Sequence, residues 1–388
     1  NDTLSTPVHS SVNGTVVDID KRIPDTETRN SQLATRNPQP SLVMPFGETV
    51  YVVIESDGTA DSMKVNDIVP GLDLTTREGV FKAIYMSGVS AFGISGIPTP
   101  HNSSLITPDK VKCILINGTT SEPFSLPVAV ILRGMEKAFI TGLNILNFLY
   151  PDACIDIALD SDKKETLYGL FNLINSDEDF VKKGDYASGK LKQNLLIHPV
   201  RPKYPQSHQS ILVETILGKA DVAKDGFEAT DYGVVILNVW DVIAIYEAVI
   251  ERKPVIDKII ALGGTGYNVN HAIIARIGTS VRSILAHRHR TGVKSRIVLN
   301  SIMRYDALQN LDIPVSKSID SVIAIYENRT REFQSFMRTG IDRGSFSNTF
   351  LSFIFRGRSK RIDTNLNGEV RPCIVCNYCE YVCPVNIL

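Results

Sequence analysis

A run of cysteines near the carboxyl end constrains this chain more than any other feature. Cys373, Cys376, Cys379 and Cys383 follow the spacing Cys-x2-Cys-x2-Cys-x3-Cys, and Pro384 comes directly after the last of them. This is the spacing of bacterial [4Fe–4S] ferredoxins, in which the fourth cysteine usually ligates a second cluster. A zinc knuckle and an empty, vestigial run are the alternatives, although zinc motifs usually separate two Cys-x2-Cys pairs by a long loop. The run therefore predicts four iron ligands, of which Cys383 serves a second cluster.

The two ends of the sequence qualify this prediction. No second cysteine run follows before Leu388, and the first residue is Asn1 rather than Met. We therefore expect both ends to be cut, with the partner run and an upstream segment belonging to a longer natural protein. A cube held by only three of its own thiolates can be empty in such a fragment.

Composition limits the classes of function. A chain of 388 residues predicts two to four domains. Its formal net charge of −1 argues against a general nucleic-acid binder. Cys113 and Cys154 lie in apolar stretches and are predicted to be buried thiols. With only six cysteines in the chain, a disulfide framework is not expected, and a reducing compartment is favoured. No apolar run reaches the ~18 residues of a typical membrane span.

The first part of the chain has a β-like pattern. Residues 7–19 alternate around Asn13 and Gly14, a pair that favours a turn between two short strands. The polar residues 20–40 are predicted to form a loop, and 49–55 to form a further strand.

From residue 71 onward strands alternate with helices. The pattern predicts a helix over 75–87 that Thr75 or Thr76 caps, followed by a loop with three glycines over 88–100. Apolar strands over 111–116, 154–159 and 233–237 are each followed by a predicted helix, over 127–149, 163–174 and 239–251. This order predicts a doubly wound domain whose ligand lies at the carboxyl ends of the strands, where Asn117 and Asn238 follow.

A change of pattern after residue 253 predicts a small module of two strands (257–264 and 271–278), a short helix (279–286) and another strand (295–300), as in a β-grasp fold. Residues 328–388 are predicted to form a helical, polar segment that ends in the cysteine run.

The order of these parts resembles that of the C subunit of Rnf electron-transport complexes, and of the related A subunit of the sodium-translocating NADH:quinone oxidoreductase. The stretches that carry the resemblance are 116–123, 204–206, 234–254, 275–279 and 371–384. Residues 241–245 match the quinone-reductase protein in particular. That protein lacks ferredoxin runs, so the cysteines favour the Rnf type.

The resemblance implies an α/β multidomain fold with four parts. These are a truncated barrel-sandwich segment (1–70), a Rossmann-like domain similar to the flavin subunit of complex I (71–252), an SLBB-like β-grasp module (253–327) and a helical iron–sulfur segment (328–388).

It also implies cofactor-binding residues. In the family the glycine loop holds FMN, an Asn after the next strand touches the flavin, and acidic residues help to hold NADH. The positions that match are Gly93, Gly96, Asn117, Glu122 and Asn238. The loop departs from the family pattern because Ala91 and Ile94 replace two glycines, and Thr120 replaces a carboxylate.

The function so implied is that of a peripheral electron-transfer subunit at the cytoplasmic face of a membrane complex of Rnf or Nqr type. Its partners would be the other subunits of the complex, and the electron acceptor would be quinone or ferredoxin. In the sequence no side chain stands out as a general base or nucleophile. Two alternatives remain open. One is a quinone-site subunit with a degenerate nucleotide site, and the other is a structural adaptor without redox function.

Overall fold

We analysed a computed structural model of the chain. It describes residues 14–22, 49–56, 71–89, 97–98, 100, 106–166, 169–170, 195–218, 229–286, 288–289, 292, 294–302, 307–308 and 310–327. The cysteine run, Gly93, Gly96 and the segment 328–388 lie outside the described residues.

The described residues contain a four-stranded parallel sheet at the centre of an α/β domain. Its spatial order is β5-β4-β3-β6, so the chain steps outward from β3 to β5 and then crosses to the other side of β3. Parallel sheets are covered on both faces, which explains why their strands are almost uninterrupted apolar runs. The strands are β3 (Cys113–Gly118), β4 (Cys154–Asp160), β5 (Leu195–Val200) and β6 (Val234–Asn238).

Helices cover this sheet on both faces. Ile114 and Ile116 of β3 share one apolar core with Phe139, whereas Leu115 faces the opposite side and shares a core with Leu212. The helices of the domain are α1 (Arg77–Met86), α2 (Val128–Leu132), α3 (Glu136–Leu149), α4 (Gln209–Leu217) and α5 (Val239–Tyr246), which continues as a π-helical turn (Glu247–Glu251).

The predicted first helix is confirmed together with its cap. The Thr76 side chain accepts a hydrogen bond from the Gly79 amide at 3.1 Å, and Glu78 lies in the first turn. An N-cap hydroxyl of this kind satisfies a backbone donor that has no partner within the helix.

The single helix predicted over 127–149 is wrong, because the structure has two helices there. Gly134 adopts φ +78° between them, a left-handed conformation that a helix cannot contain and that glycine adopts without steric cost. The prediction also missed β5 and α4.

A second sheet follows, with the order β8-β7-β10-β9. Its central strands β7 and β10 are parallel, and both outer pairs are antiparallel. The prediction missed β10, and it extended the second strand two residues too far. The elements are β7 (Asp257–Gly263), β8 (His271–Arg276), α6 (Val281–Leu285), β9 (Ser295–Leu299) and β10 (Ser321–Tyr326).

Near the amino terminus, β1 (Gly14–Arg22) and β2 (Thr49–Ser56) form an antiparallel ribbon. Two expectations are corrected here. Gly14 is not in a turn, because it starts β1 and pairs with Ser56. The predicted loop begins too early, because β1 continues to Arg22, which pairs with Thr49. Among the described residues of the whole chain, no helix is long and apolar enough to cross a membrane.

Candidate functional site

The carboxyl ends of β3 and β6 form the edge of the parallel sheet where a ligand site is expected. Asn117 and Asn238 are direct partners in the register of these two strands. The chain leaves β3 toward β4 on one side, whereas β6 lies on the other side, so the two strands flank the topological switch point. In open α/β sheets the crevice at this point is where ligands bind. The structure thus brings together two of the residues that the sequence predicted.

The Asn117 side chain fixes the loop that follows β3. Its Nδ2 donates to the Ser207 carbonyl at 3.0 Å, and its Oδ1 accepts from the Thr119 amide at 3.1 Å and the Thr119 hydroxyl at 2.8 Å. An amide nitrogen carries two N–H groups. The Ser207 carbonyl takes one of them, so the second can serve a ligand.

A buried carboxylate that the sequence analysis missed holds the next residue of this loop. Asp160 ends β4 and is 5% exposed. Its Oδ1 accepts from the Thr120 amide at 3.0 Å, and its Oδ2 accepts from the Thr120 hydroxyl. The sequence resemblance predicts a carboxylate at the position of Thr120, and Asp160 of the neighbouring strand places a carboxylate next to it. The signal that could have found Asp160 is its place at the carboxyl end of an apolar strand.

Ser121 links the loop to the segment that precedes α4. The Ser207 amide donates to the Ser121 hydroxyl at 2.8 Å, and the two hydroxyl oxygens are 2.6 Å apart. Together with the contacts of Asn117 and Thr120, these bonds hold the loop rigidly at the edge of the sheet.

Glu122 connects the α/β domain to the second sheet. Its Oε2 accepts a hydrogen bond from the Ser301 hydroxyl at 2.6 Å, and Ser301 is fully buried just after β9. Close by, Gly263 at the end of β7 has no room for a side chain, because an added Cβ would lie 2.6 Å from the Phe124 Cβ. The loop after β3 is therefore packed between the two sheets.

Asn238 is the N-cap residue of α5, and it contacts a second buried carboxyl group, that of Asp241. The Asn238 amide donates to Asp241 Oδ2 at 2.7 Å, and Asp241 is 2% exposed. Burial raises the pKa of Asp241 to about 7, while the Asn238 hydrogen bond and the Lys258 charge act in the opposite direction. The first turn of α5 thus carries a carboxyl group whose charge changes near neutral pH.

Two lysines lie nearby, Lys258 on β7 and Lys317 in the segment before β10, and Lys258 Nζ donates to the Lys317 carbonyl. Lys258 is 4% exposed, and its Nζ lies 2.7 Å from Asp320 Oδ1. Lys317 donates to the Gly88 carbonyl at 2.6 Å, and burial lowers its pKa to about 8. Since Gly88 starts the predicted glycine loop, Lys317 ties the beginning of that loop to the second sheet.

This edge fits a nucleotide in its position and in its donor chemistry. It combines the switch point of the sheet with an amide N–H of Asn117 that can serve a ligand. Gly93 and Gly96 are outside the described residues, so their part in the site stays a prediction.

Comparisons with known proteins point to the same part of the chain. Residues 84–247 match the family model of the Nuo51 FMN-binding domain, a range that includes both Asn117 and Asn238. Curated relatives include the C subunit of the ion-translocating oxidoreductase complex from Klebsiella pneumoniae (strain 342), 24% identical over 385 residues. The protein of the same name from Pseudomonas aeruginosa is 24% identical over 339 residues.

These relatives are much longer than this chain. The two matches cover 98% and 87% of this chain but 42% and 37% of the relatives. Among solved structures, an NAD+-reducing [NiFe]-hydrogenase in its H2-reduced state matches with a TM-score of 0.50 and 14% identity, over 65% of this chain and 47% of that one. That likeness concerns the fold alone, a mixed α/β fold with a parallel sheet.

Proposed function

This chain is homologous to the C subunits of ion-translocating oxidoreductase complexes, and from that premise we propose that it is an electron-transfer subunit of such a complex. The observation that carries the proposal is the match of residues 84–247 to an FMN-binding domain. The matched range contains the switch point between β3 and β6, where Asn117 and Asn238 are paired. The family match thus covers the part of the chain in which the fold offers a ligand position.

In this proposal Asn117 and Asn238 contact FMN, with Gly93 and Gly96 of the preceding loop close to its phosphate. Bound at this site, FMN would supply the chemistry that divides the electron pair of a hydride into single electrons. The role proposed for the residues of this chain is to bind the FMN and to orient it. Asn117 offers an amide N–H to the ligand.

For NADH we propose Glu122 as the acidic contact. Its carboxylate already accepts a hydrogen bond from Ser301, which would hold it in place for a ribose hydroxyl. Asp160 is a second carboxylate at this edge, and it shapes the loop through Thr120.

For the cysteine run we propose that Cys373, Cys376 and Cys379 hold a [4Fe–4S] cluster and that Cys383 serves a second one. Four thiolates at this spacing are the support, together with homology to a redox complex. The acceptor beyond the clusters would be ferredoxin or quinone.

We further propose the domain division 1–70, 71–252, 253–327 and 328–388. Residues 253–327 are proposed to form a β-grasp module. Its strand order β8-β7-β10-β9 with parallel central strands supports this assignment. The ribbon of β1 and β2 would belong to a barrel-sandwich segment.

Within the complex the chain would bind the other subunits peripherally, at the cytoplasmic face of the membrane. A second candidate function is a quinone-site subunit of Nqr type with a degenerate nucleotide site. The replacement of loop glycines by Ala91 and Ile94 favours it, because side chains there obstruct the approach of a phosphate to the backbone.

Anaerobic purification of the full-length natural protein tests the proposal. We expect visible absorbance from iron–sulfur clusters and flavin fluorescence after denaturation. A colourless protein without flavin would contradict the electron-transfer role. Clusters without flavin would keep the electron-transfer role but contradict FMN binding at the proposed nucleotide site.

A further inference from the structure

The amino-terminal ends of β3 and β4 carry a cluster of metal-ligating side chains. This cluster lies at the end of the sheet opposite to the nucleotide site. Cys113 and Cys154 are direct partners in the parallel register of the two strands, and Asp156 is two residues further along β4. One ligand atom of each of the three lies within 4.8 Å of the others. Strand alternation puts all three on the sheet face that α4 covers.

The two sulfur–oxygen distances in this cluster are compatible with a tetrahedral metal site. Asp156 Oδ2 is 3.3 Å from the Cys113 sulfur and 3.8 Å from the Cys154 sulfur. Zinc–sulfur bonds of about 2.3 Å and zinc–oxygen bonds of about 2.0 Å at tetrahedral angles put sulfur and oxygen about 3.5 Å apart. The two observed distances lie on either side of this value, so shifts of a few tenths of an ångström would bring both sulfurs to the distance from Asp156 Oδ2 that a shared zinc ion requires.

The second carboxylate oxygen of Asp156 is held by a histidine. His198 on β5 has its Nε2 at 3.1 Å from Asp156 Oδ1, which leaves Oδ2 directed at the two sulfurs. Metal sites regularly use such a partner to orient a ligating carboxylate or imidazole. The His198 side chain is 30% exposed, and Cys154 is half-buried, so an ion can enter from solvent.

We propose that Cys113, Cys154 and Asp156 form a site for zinc or a similar divalent transition metal, with His198 orienting Asp156 and a fourth position open. Once metal binding has deprotonated both thiols, two thiolates and a carboxylate would surround the cation, at a place where Cys113 and Asp156 are each 4% exposed. Binding releases both thiol protons to solvent, forms two metal–sulfur bonds and leaves all oxidation states unchanged. The site is separate from the cysteine run and from the proposed nucleotide site.

The sequence alone predicted buried thiols at these two positions. Cys113 is buried as predicted, whereas Cys154 is half-buried. An apolar packing role of the two thiols would not by itself require a carboxylate that faces both sulfurs. The competing interpretation is that the thiols donate weak hydrogen bonds to Asp156 and bind nothing.

Cobalt(II) binding to the full 388-residue chain distinguishes these interpretations. The four cysteines of the run must first be changed to serine, because they would bind cobalt too. Of the six cysteines in the chain, this leaves Cys113 and Cys154. We expect one cobalt per chain, with thiolate-to-cobalt charge-transfer bands and the intense visible bands of tetrahedral coordination. Zinc should displace the cobalt.

Variants on this background test the individual residues. Cys154→Ser should weaken the charge-transfer band and lower zinc affinity by at least about 100-fold, and His198→Ala should lower it about 10- to 100-fold. His271→Ala, on the outer strand β8 of the second sheet, is the matched control and should bind zinc as the parent does. Absence of the cobalt bands, or equal affinity of the parent and Cys154→Ser, would overturn the proposal.

A measurement on the unsubstituted chain covers the case in which a variant fails to fold. Alkylation of the reduced protein, followed by peptide mass spectrometry, reports each thiol separately. Zinc should slow the alkylation of Cys154 at least about tenfold, because a metal-bound thiolate is protected, and a chelator should reverse the effect. Equal alkylation rates with and without zinc, or a disulfide between Cys113 and Cys154 in place of zinc binding, would overturn the proposal.

Discussion

Asn117 and Asn238 lie side by side at the carboxyl ends of two neighbouring parallel strands, where the strand order reverses. Each residue directly follows a run of buried aliphatic side chains. The sheet thus presents two amides at its switch point without the help of a long loop. The pairing of Asn117 with Asn238 lies within the range that matches the FMN-binding domain. The switch point gives a physical reason why a ligand would bind there.

The carboxylate of Asp160 should contribute strongly to the rigidity of this edge. Asp160→Asn keeps one acceptor oxygen but removes the charge that both Thr120 donors contact. We expect the free energy of unfolding to fall by about 1 to 3 kcal/mol, as for other hydrogen bonds to buried charged groups. Urea unfolding measures the change. In a double-mutant cycle with Thr120→Val the two effects should be non-additive, and full additivity would contradict the contact.

The titration of Asp241 should make stability depend on pH. Burial raises its pKa from 3.8 to about 7, so the folded state binds the proton more tightly than the unfolded state does. The resulting stabilisation is complete below about pH 4 and is lost as the pH rises through about 7.

Asp241→Asn cannot titrate and should lack this dependence. From about pH 4 to about pH 8 the free energy of unfolding of the parent should fall relative to the variant by up to about 4 kcal/mol. Urea unfolding of both proteins at several pH values is the measurement. Parallel pH profiles would show that Asp241 keeps an ordinary pKa.

The contact between α3 and α5 requires a glycine. A Cβ added at Gly142 would lie 2.3 Å from the Val242 carbonyl oxygen, whereas one added at Gly169 would meet nothing within 4 Å. Gly142→Ala should therefore lower the free energy of unfolding by about 1 to 3 kcal/mol through overpacking. Thermal unfolding is the measurement. Gly169→Ala is the control and should be neutral or slightly stabilising, and equal effects of the two substitutions would contradict the close helix contact.

Local patterns in the sequence predicted much of this fold. The strands β3, β4 and β6 are apolar runs with clear ends, and α1 has both a cap and an acidic first turn. Both signals depend only on nearby residues. The alternation of these elements was enough to predict the parallel sheet and its polar edge.

The features that were missed depend on contacts between distant parts of the chain. β5 has exposed and half-buried residues at the outer edge of its sheet, so it lacks the continuous apolar run of a central strand. Asp160 gains its role only when Thr120, 40 residues away, folds against it. The bond between Glu122 and Ser301 spans 179 residues. Only the three-dimensional arrangement brings such pairs together.

The most direct test of the central claim is an FMN titration of the full-length protein, in which the quenching of flavin fluorescence reports binding. The account predicts one FMN per chain. Asn117→Ala should raise the Kd about tenfold, corresponding to roughly 1.4 kcal/mol, while Asn310→Ala in the second sheet's domain should leave it unchanged. Absence of FMN binding by the parent, or the same Kd for the parent and Asn117→Ala, would contradict a flavin site at the β3 and β6 edge.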